Sequence, residues 1–367
     1  MKKTVMDRPF LICVITLIVA GFFIFSSASL GLLAKGGDQY SDVAFSQTFF
    51  GLFLGSIALI TASRINYKNW RGYAFYLFIG SLLLTAMVFV PHIGFEHGGA
   101  KRWILIGNFS LQPAEFLKTA FILYCAAWLS GIKGQVKSFQ QGFVPFVLIL
   151  AVVGVLMLAQ PDTDTFALIA CTGVAMFLTA GGKWKHVAIL VVTALLGLAL
   201  IATVRPYVKQ RIMTFMNPAQ NGLTSGYQIQ QSLIAIGSGG FAGRGFGQSI
   251  QKFNFLPEPI GDSIFAVAGE EFGFIGTVSI VVLFLFFAFR GLKIAVRTDE
   301  SFGRLVVVGI VILITAQSFL NIAAMLGVLP LSGNPLPFVS HGGTALLITL
   351  AQVGIVLNIS RYQKKLT

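Results

Sequence analysis

Ten apolar runs, near residues 10–34, 44–63, 73–91, 111–130, 142–159, 165–181, 187–204, 263–290, 303–325 and 343–360, dominate this chain of 367 residues. Most reach the ~20 residues that a helix needs to cross a hydrocarbon core. No water satisfies peptide groups there, and the α-helix closes its hydrogen bonds within one segment. The runs therefore predict an all-α polytopic integral membrane protein with about ten transmembrane helices. Charged residues make up only 11% of the chain, less than half the ~25% that solvates an ordinary globular surface. A soluble enzyme, a disordered chain and a secreted disulfide scaffold are excluded. The first run follows Lys2, Lys3 and Arg8 as a signal peptide would. It is too long for a signal core and nine spans follow, so it reads as a retained anchor.

Charge sets the orientation. With the N-terminus inside, the inner segments carry 17 Lys and Arg and the outer segments 8, with Lys118 within a span. That excess puts both termini in the cytoplasm, and it explains the net charge of +13 without nucleic acid. Five of the outer cations fall in residues 205–262, an extracytoplasmic loop between spans seven and eight. Nothing else is long enough to be a second domain, so residues 1–367 read as a single membrane domain. This loop is rich in glycine, and a loose loop of that kind is typically ordered by a partner or substrate. Cys13, Cys125 and Cys171 lie in apolar runs without Cys-x-x-Cys spacing, as packing residues do. The absence of an internal repeat in the sequence argues against an inverted-repeat transporter.

The carboxylates are few and lie toward one side. Glu96, Asp162, Asp164, Glu258 and Asp262 fall in outer loops or at outer helix ends, with Glu115 near the outer start of span four and Lys118 one turn deeper. Glu270 and Glu271 lie two turns into span eight. A charge inside a membrane costs several kcal/mol unless it is paired or faces water. A polar cavity open to the outside follows, with Glu115, Lys118, Glu270 and Glu271 on its walls. Blander readings stand beside this one. Glu115 and Lys118 at i, i+3 make a structural ion pair, and Asp162 and Asp262 both occupy natural N-cap positions. His341, before a Gly-Gly turn, reads as a turn residue rather than a ligand. The glycine-rich stretch 237–247 contains no G-x-G-x-x-G and no Gly-Lys-Ser/Thr follows it, which argues against nucleotide chemistry.

Four segments carry a family resemblance: GYQIQQSLIAIGSGGFAGRGFGQSIQKFNFLPEPIGDSIFAVAGEEFGFIG (226–276), AKRWILIGNFSLQPAEFLK (100–118), QPDTDT (160–165) and NIAAMLGVLPLSGNPLPFVSHGGTALL (321–347). Taken in chain order they resemble the shape, elongation, division and sporulation (SEDS) family, whose members include FtsW and RodA. The Gly-Gln-Ser-Ile-Gln-Lys run is closer to the FtsW division branch. The resemblance implies a glycosyltransferase that polymerises lipid II into peptidoglycan at the outer face of the bacterial cytoplasmic membrane. It also implies a cognate class B penicillin-binding protein and other divisome membrane proteins as partners. Asp262 is implied as the essential carboxylate, with Glu115, Lys118 and Asp162 lining the cavity. The chain departs from the family pattern at Gly261 and Ser263, where Thr and Phe are usual around the acid. It departs again at His341, where Tyr is common, and at Thr163 and Asp164, where Leu-Gly is common.

Such a reaction needs a base for the acceptor hydroxyl and cations for the leaving diphosphate. Asp262 suits the base, and direct displacement inverts the anomeric centre. A retaining route wants a second carboxylate about 5 Å away, and Glu258 is the neighbour in sequence. Lys101, Arg102, Arg205, Arg211 and Lys252 are the candidate phosphate cations. A divalent cation, Mg²⁺ or Mn²⁺, would take oxygen ligands such as Glu115 and Asp162. The competing classes are a flippase for lipid-linked sugars and a noncatalytic scaffold.

Overall fold

The computed structural model describes residues 6–33, 38–97, 100–106, 109–204, 211, 213–216 and 225–363. Its helices are α1 (Arg8–Leu33), α2 (Asp38–Phe45), α3 (Gly55–Arg64), α4 (Tyr67–Ala86), α5 (Pro113–Ile132), α6 (Val144–Ala159), α7 (Thr163–Thr179), α8 (Trp184–Val204), α9 (Ser225–Ser238), α10 (Gln251–Asn254), α11 (Ile264–Val296), α12 (Ser301–Met325) and α13 (Gly343–Ser360). A π-helical stretch, Ser46–Leu54, joins α2 to α3. Eight spans are long and apolar enough to cross a membrane, and two shorter apolar helices, Thr163–Thr179 and Trp184–Gly197, coincide with predicted spans six and seven. The ten predicted runs thus recur as helices in the predicted order. One boundary miss of six residues is α4, which starts at Tyr67 because Asn66 caps it through the Lys68 amide; its first turns carry Lys68 and Arg71 and so escape an apolar-run reading.

The all-helical expectation needs one addition. Between α4 and α5, β1 (Gly94–His97), β2 (Ala100–Ile106) and β3 (Phe109–Leu111) form an antiparallel sheet in the order β1-β2-β3. Gly94 pairs with Ile104, and Ile104 with Leu111. The strands close one another's backbone hydrogen bonds outside the helical bundle.

The centre of the bundle is α12 and α13, with 72% and 78% of their apolar stretches buried against 17% for Tyr40–Arg64. A buried span is free to carry polar groups only if they are partnered. Gln317, Ser318 and Asn321 on α12 are buried, and two of them organise the site.

Predicted span eight is interrupted. At Gly273 the backbone turns to φ 62, ψ −160, splitting α11 into a short half-helix, 264–272, and a long one. A break frees carbonyls and amides that must find new partners in a membrane. The glycine-rich stretch supplies them. The amides of Arg244 and Gly245 donate to the Glu270 and Glu271 carbonyls at 3.0 and 2.9 Å, and those of Phe274 and Ile275 donate to the Gly240 and Phe241 carbonyls at 3.0 and 3.2 Å. A Cβ on Gly273 would lie 2.3 Å from the Gly243 nitrogen, and one on Gly243 would lie 2.2 Å from the Glu271 carbonyl. The glycines therefore serve close backbone approach rather than looseness. This corrects the expectation of a slack loop for its described part, residues 225–262.

Candidate active site

Asp262 lies half-buried at the start of α11. Gln228 Nε2, from α9, donates to Asp262 Oδ1 at 3.0 Å and to Ser263 Oγ at 2.9 Å. Asn321 Nδ2, from α12, donates to the Asp262 carbonyl at 2.8 Å and to the Asn334 carbonyl at 2.9 Å. The N-cap reading of this acid fails. The N-cap is Ser263, and no side chain closes a capping bond there, so the Asp262 carboxylate is not spent on the helix. Burial pushes Asp262 up to about 7, and the neighbouring Glu258 charge adds to that; the bonds from Gln228 and Ser263 oppose it. Glu258 itself is exposed, and its carbonyl gathers the turn by accepting from the Gly261 and Ser263 amides at 3.0 and 3.2 Å.

Asp162 does cap its helix: the Thr165 amide donates to its Oδ1 at 3.4 Å. The second oxygen, Oδ2, is buried without a partner among the described residues. Arg102 NH1, from β2, stands 3.8 Å from Asp162 Oδ1. Its other nitrogens brace the turn, donating to the Gln160 carbonyl at 3.4 Å and to that of Pro161. Burial raises the Asp162 carboxyl above its ordinary range against the pull of Arg102. Asp164, one of the departures from the family pattern, accepts from Arg211 NH1 at 2.8 Å through both oxygens and from the Gly333 amide at 3.4 Å. The two acids therefore have different tasks.

One segment, 333–335, ties these groups together. Thr165 Oγ1 donates to Asn334 Oδ1 at 3.4 Å. The Asn334 carbonyl takes the same Asn321 amide that holds Asp262. One turn along α12, Gln317 donates to the Pro335 carbonyl at 2.9 Å and accepts from Lys118 Nζ at 2.9 Å. Lys118 pairs with Glu115 at 2.8 Å, both buried. The predicted Glu115, Lys118, Asp162 and Asp262 thus belong to one polar network. Lys101 lies exposed on β2, and Arg205 lies outside the described residues.

Two predicted wall residues, Glu270 and Glu271, and one predicted phosphate cation, Lys252, belong elsewhere. Lys252 is fully buried, its Nζ donating to Glu271 Oε1 at 2.7 Å, Ser27 Oγ at 2.9 Å and the Gly247 carbonyl at 3.0 Å. Glu270 accepts from Ser249 Oγ at 2.6 Å and from the Ile250 and Gln251 amides at 3.1 and 3.2 Å, and Arg244 Nε stands 3.5 Å away. These groups staple the glycine-rich loop to the end of the half-helix and to α1. His341 holds its predicted place as a turn residue. Its amide donates to the Ile260 carbonyl at 2.7 Å, its ring stacks on Phe25, and burial depresses it to about 4, leaving it neutral.

The residues that the sequence reading missed are amides: Gln228, Gln317, Asn321 and Asn334. Gln317 and Asn321, at i, i+4 within an apolar span, form a polar stripe whose cost in a membrane marks it. For a divalent cation, the predicted donors do not pair. Glu115 is held by Lys118, and among the described residues no three His, Cys, Asp or Glu side chains cluster. Of the two predicted donors, Asp162 keeps a buried oxygen open, Oδ2, which suits a Mg²⁺ that brings phosphate ligands of its own.

The FtsW/RodA/SpoVE family model, described as cell cycle protein, matches residues 7–365. Stage V sporulation protein E of Bacillus subtilis is 37% identical over 370 residues, covering 99% of each chain. Probable peptidoglycan glycosyltransferase FtsW of Geobacter metallireducens is 37% identical over 360 residues, covering 98% of this chain and 95% of the relative. A chain from a structure titled as the structural coordination of polymerization and crosslinking by a peptidoglycan synthase complex superposes with a TM-score of 0.81 at 26% identity, covering 98% and 99%. The rod shape determining protein RodA of Thermus thermophilus gives 0.69 at 25% identity, covering 98% of each. The chain belongs to the FtsW/RodA/SpoVE family.

Proposed function

We infer that this chain is a peptidoglycan glycosyltransferase that polymerises lipid II at the outer face of the bacterial cytoplasmic membrane. The observation that carries the mechanism is an Asp262 carboxylate that closes no helix cap and is held by Gln228 at 3.0 Å; burial pushes it up to about 7. It takes the proton of the acceptor sugar hydroxyl as that oxygen attacks the anomeric carbon. The bond to the lipid diphosphate breaks with its electron pair on the leaving oxygen, and the centre inverts. Arg102 and Arg211, both partly exposed, are placed by Asp162 and Asp164 to meet the developing charge. A divalent cation travelling with the diphosphate would neutralise part of that charge, and Asp162 would be its protein ligand. The FtsW and stage V sporulation relatives support the division or sporulation branch. A class B penicillin-binding protein as partner rests on the likeness to the synthase complex, and further divisome membrane proteins follow from the branch.

Purified protein in liposomes with labelled lipid II tests the reading. Polymer supports it, transbilayer movement without polymer favours a flippase, and neither favours a scaffold. The pH profile adds a signature. Below its pKa Asp262 holds a proton and accepts none, so the rate should rise about tenfold per pH unit up to about 7 and level above it. A carboxylate of ordinary pKa would leave the rate flat across that range.

Glu115 and Lys118 give a separate expectation. Either change alone, Glu115→Gln or Lys118→Met, strands a buried charge and should cost about 3–5 kcal/mol. The double variant should recover thermal stability. Polymerisation should stay low, because Gln317 has lost the ammonium that aligns it under segment 333–335. Full recovery of both would make the pair purely structural.

A further inference from the structure

At the end of the bundle opposite Asp262, a cavity of about 250 Å³ opens between the C-terminal ends of α5 and α7 and the start of α12. Its lining includes Lys133, Arg304, Ser130, Ser301 and Thr179, and no carboxylate. Arg304 is held in place by two backbone carbonyls, Nε donating to that of Thr298 and NH2 to that of Asp299, both at 3.3 Å. Those two bonds leave NH1 uncommitted. The nearby Glu300 carboxylate is turned away to Tyr67 and Lys68. Glu300 is also the N-cap residue of α12, yet its side chain closes no capping bond, so the first amides of the helix keep their donors.

The electrostatic balance decides the sign of the ligand. Each helix terminus carries about half a charge. The C-terminal ends of α5 and α7 together cancel about one cation, and the start of α12 returns half of that. Lys133 and Arg304 therefore leave the cavity positive. It sits at the same end as Lys68, Arg290 and Lys293, the cation-rich ends that the sequence assigns to the cytoplasm. Basic pockets between membrane helices on that side suit lipid headgroups.

We propose that this cavity binds a phosphate group, with Lys133 and Arg304 as its cationic ligands and the α12 amides and hydroxyls as further donors. The source is an acidic phospholipid headgroup or a soluble phosphate. The proposal stands apart from the glycosyltransferase reading, and its test needs no turnover. The full chain is placed in nanodiscs of phosphatidylcholine alone, with added phosphatidylglycerol, or with added inorganic phosphate, and bound species and thermal midpoint are read.

Wild type should retain phosphatidylglycerol, or inorganic phosphate if the source is soluble, and unfold at a higher temperature. Lys133→Gln removes an exposed side chain and should fold normally, while weakening retention at least about tenfold, the loss of one charge-assisted contact. Arg304→Lys keeps the charge without the planar fork and should weaken it less than Arg304→Gln. Lys137→Gln, an exposed cation of the same end outside the lining, should change nothing. Equal retention by wild type and Lys133→Gln in both arms overturns the proposal. So does an equal loss in Lys137→Gln, which would mean diffuse surface attraction.

Discussion

Asp262→Asn should lower glycan polymerisation by at least about 10²-fold, the low end for removing a general base, while the bundle folds as before. Asparagine keeps the shape and still accepts from Gln228, but it takes no proton. The fold has little reason to respond, because this carboxylate closes no helix cap and the Asn321 bond runs to the Asp262 backbone carbonyl. Removing the charge also relieves its repulsion with Glu258. Glycan length on gels, read beside the thermal midpoint of the same preparation, checks both halves. Near-normal glycan from a well-folded variant would remove Asp262 from the role of base and leave Gln228 holding a structural acid.

The spans were legible in the sequence because hydrocarbon imposes a single rule, and every run that obeys it becomes a helix. The family segments were legible too, and they marked Asp162 and Asp262, with Glu115 and Lys118, as groups of one site. Roles that depend on long-range contact were not. Lys252 and Glu271 are nineteen positions apart and meet Ser27 from the first helix; nothing local distinguishes such a lysine from a phosphate ligand. Gly273 looks like any membrane glycine until its φ of 62 is known. The strands of 94–111 are too short for a periodicity that separates them from a loop. Gln228 is an uncharged residue on an amphipathic stretch, and only its bond to Asp262 gives it meaning.

These missed contacts and the recognised acid are mechanically one object. The half-helix 264–272 is a rod of nine residues, ~13 Å long at 1.5 Å per residue. Asp262 and Ser263 lead into one end; Glu270 and Glu271 anchor the other. Because the chain breaks at Gly273, the long half of α11 cannot hold the rod by helical continuity. The anchor comes from the buried carboxylates Glu270 and Glu271, balanced by the exposed Arg244 and the buried Lys252.

Lys252→Met should therefore destabilise the protein by about 3–5 kcal/mol, the cost of leaving a buried carboxylate without its cation. Glu271→Gln should cost a comparable amount by stranding the ammonium. The double variant is neutral at this point, and its thermal midpoint should return most of the way. Its polymerisation should not. Lys252 also ties the loop to the Gly247 carbonyl and to Ser27 of α1, and methionine makes neither bond, so the far end of the rod loosens. Amide hydrogen exchange reports this directly. Protection at Arg244 and Gly245, whose amides donate to the Glu270 and Glu271 carbonyls, should fall in the double variant while that of α12 and α13 is unchanged. A double variant that regains stability, protection and rate together would show that the charges hold the fold and have no part in placing Asp262.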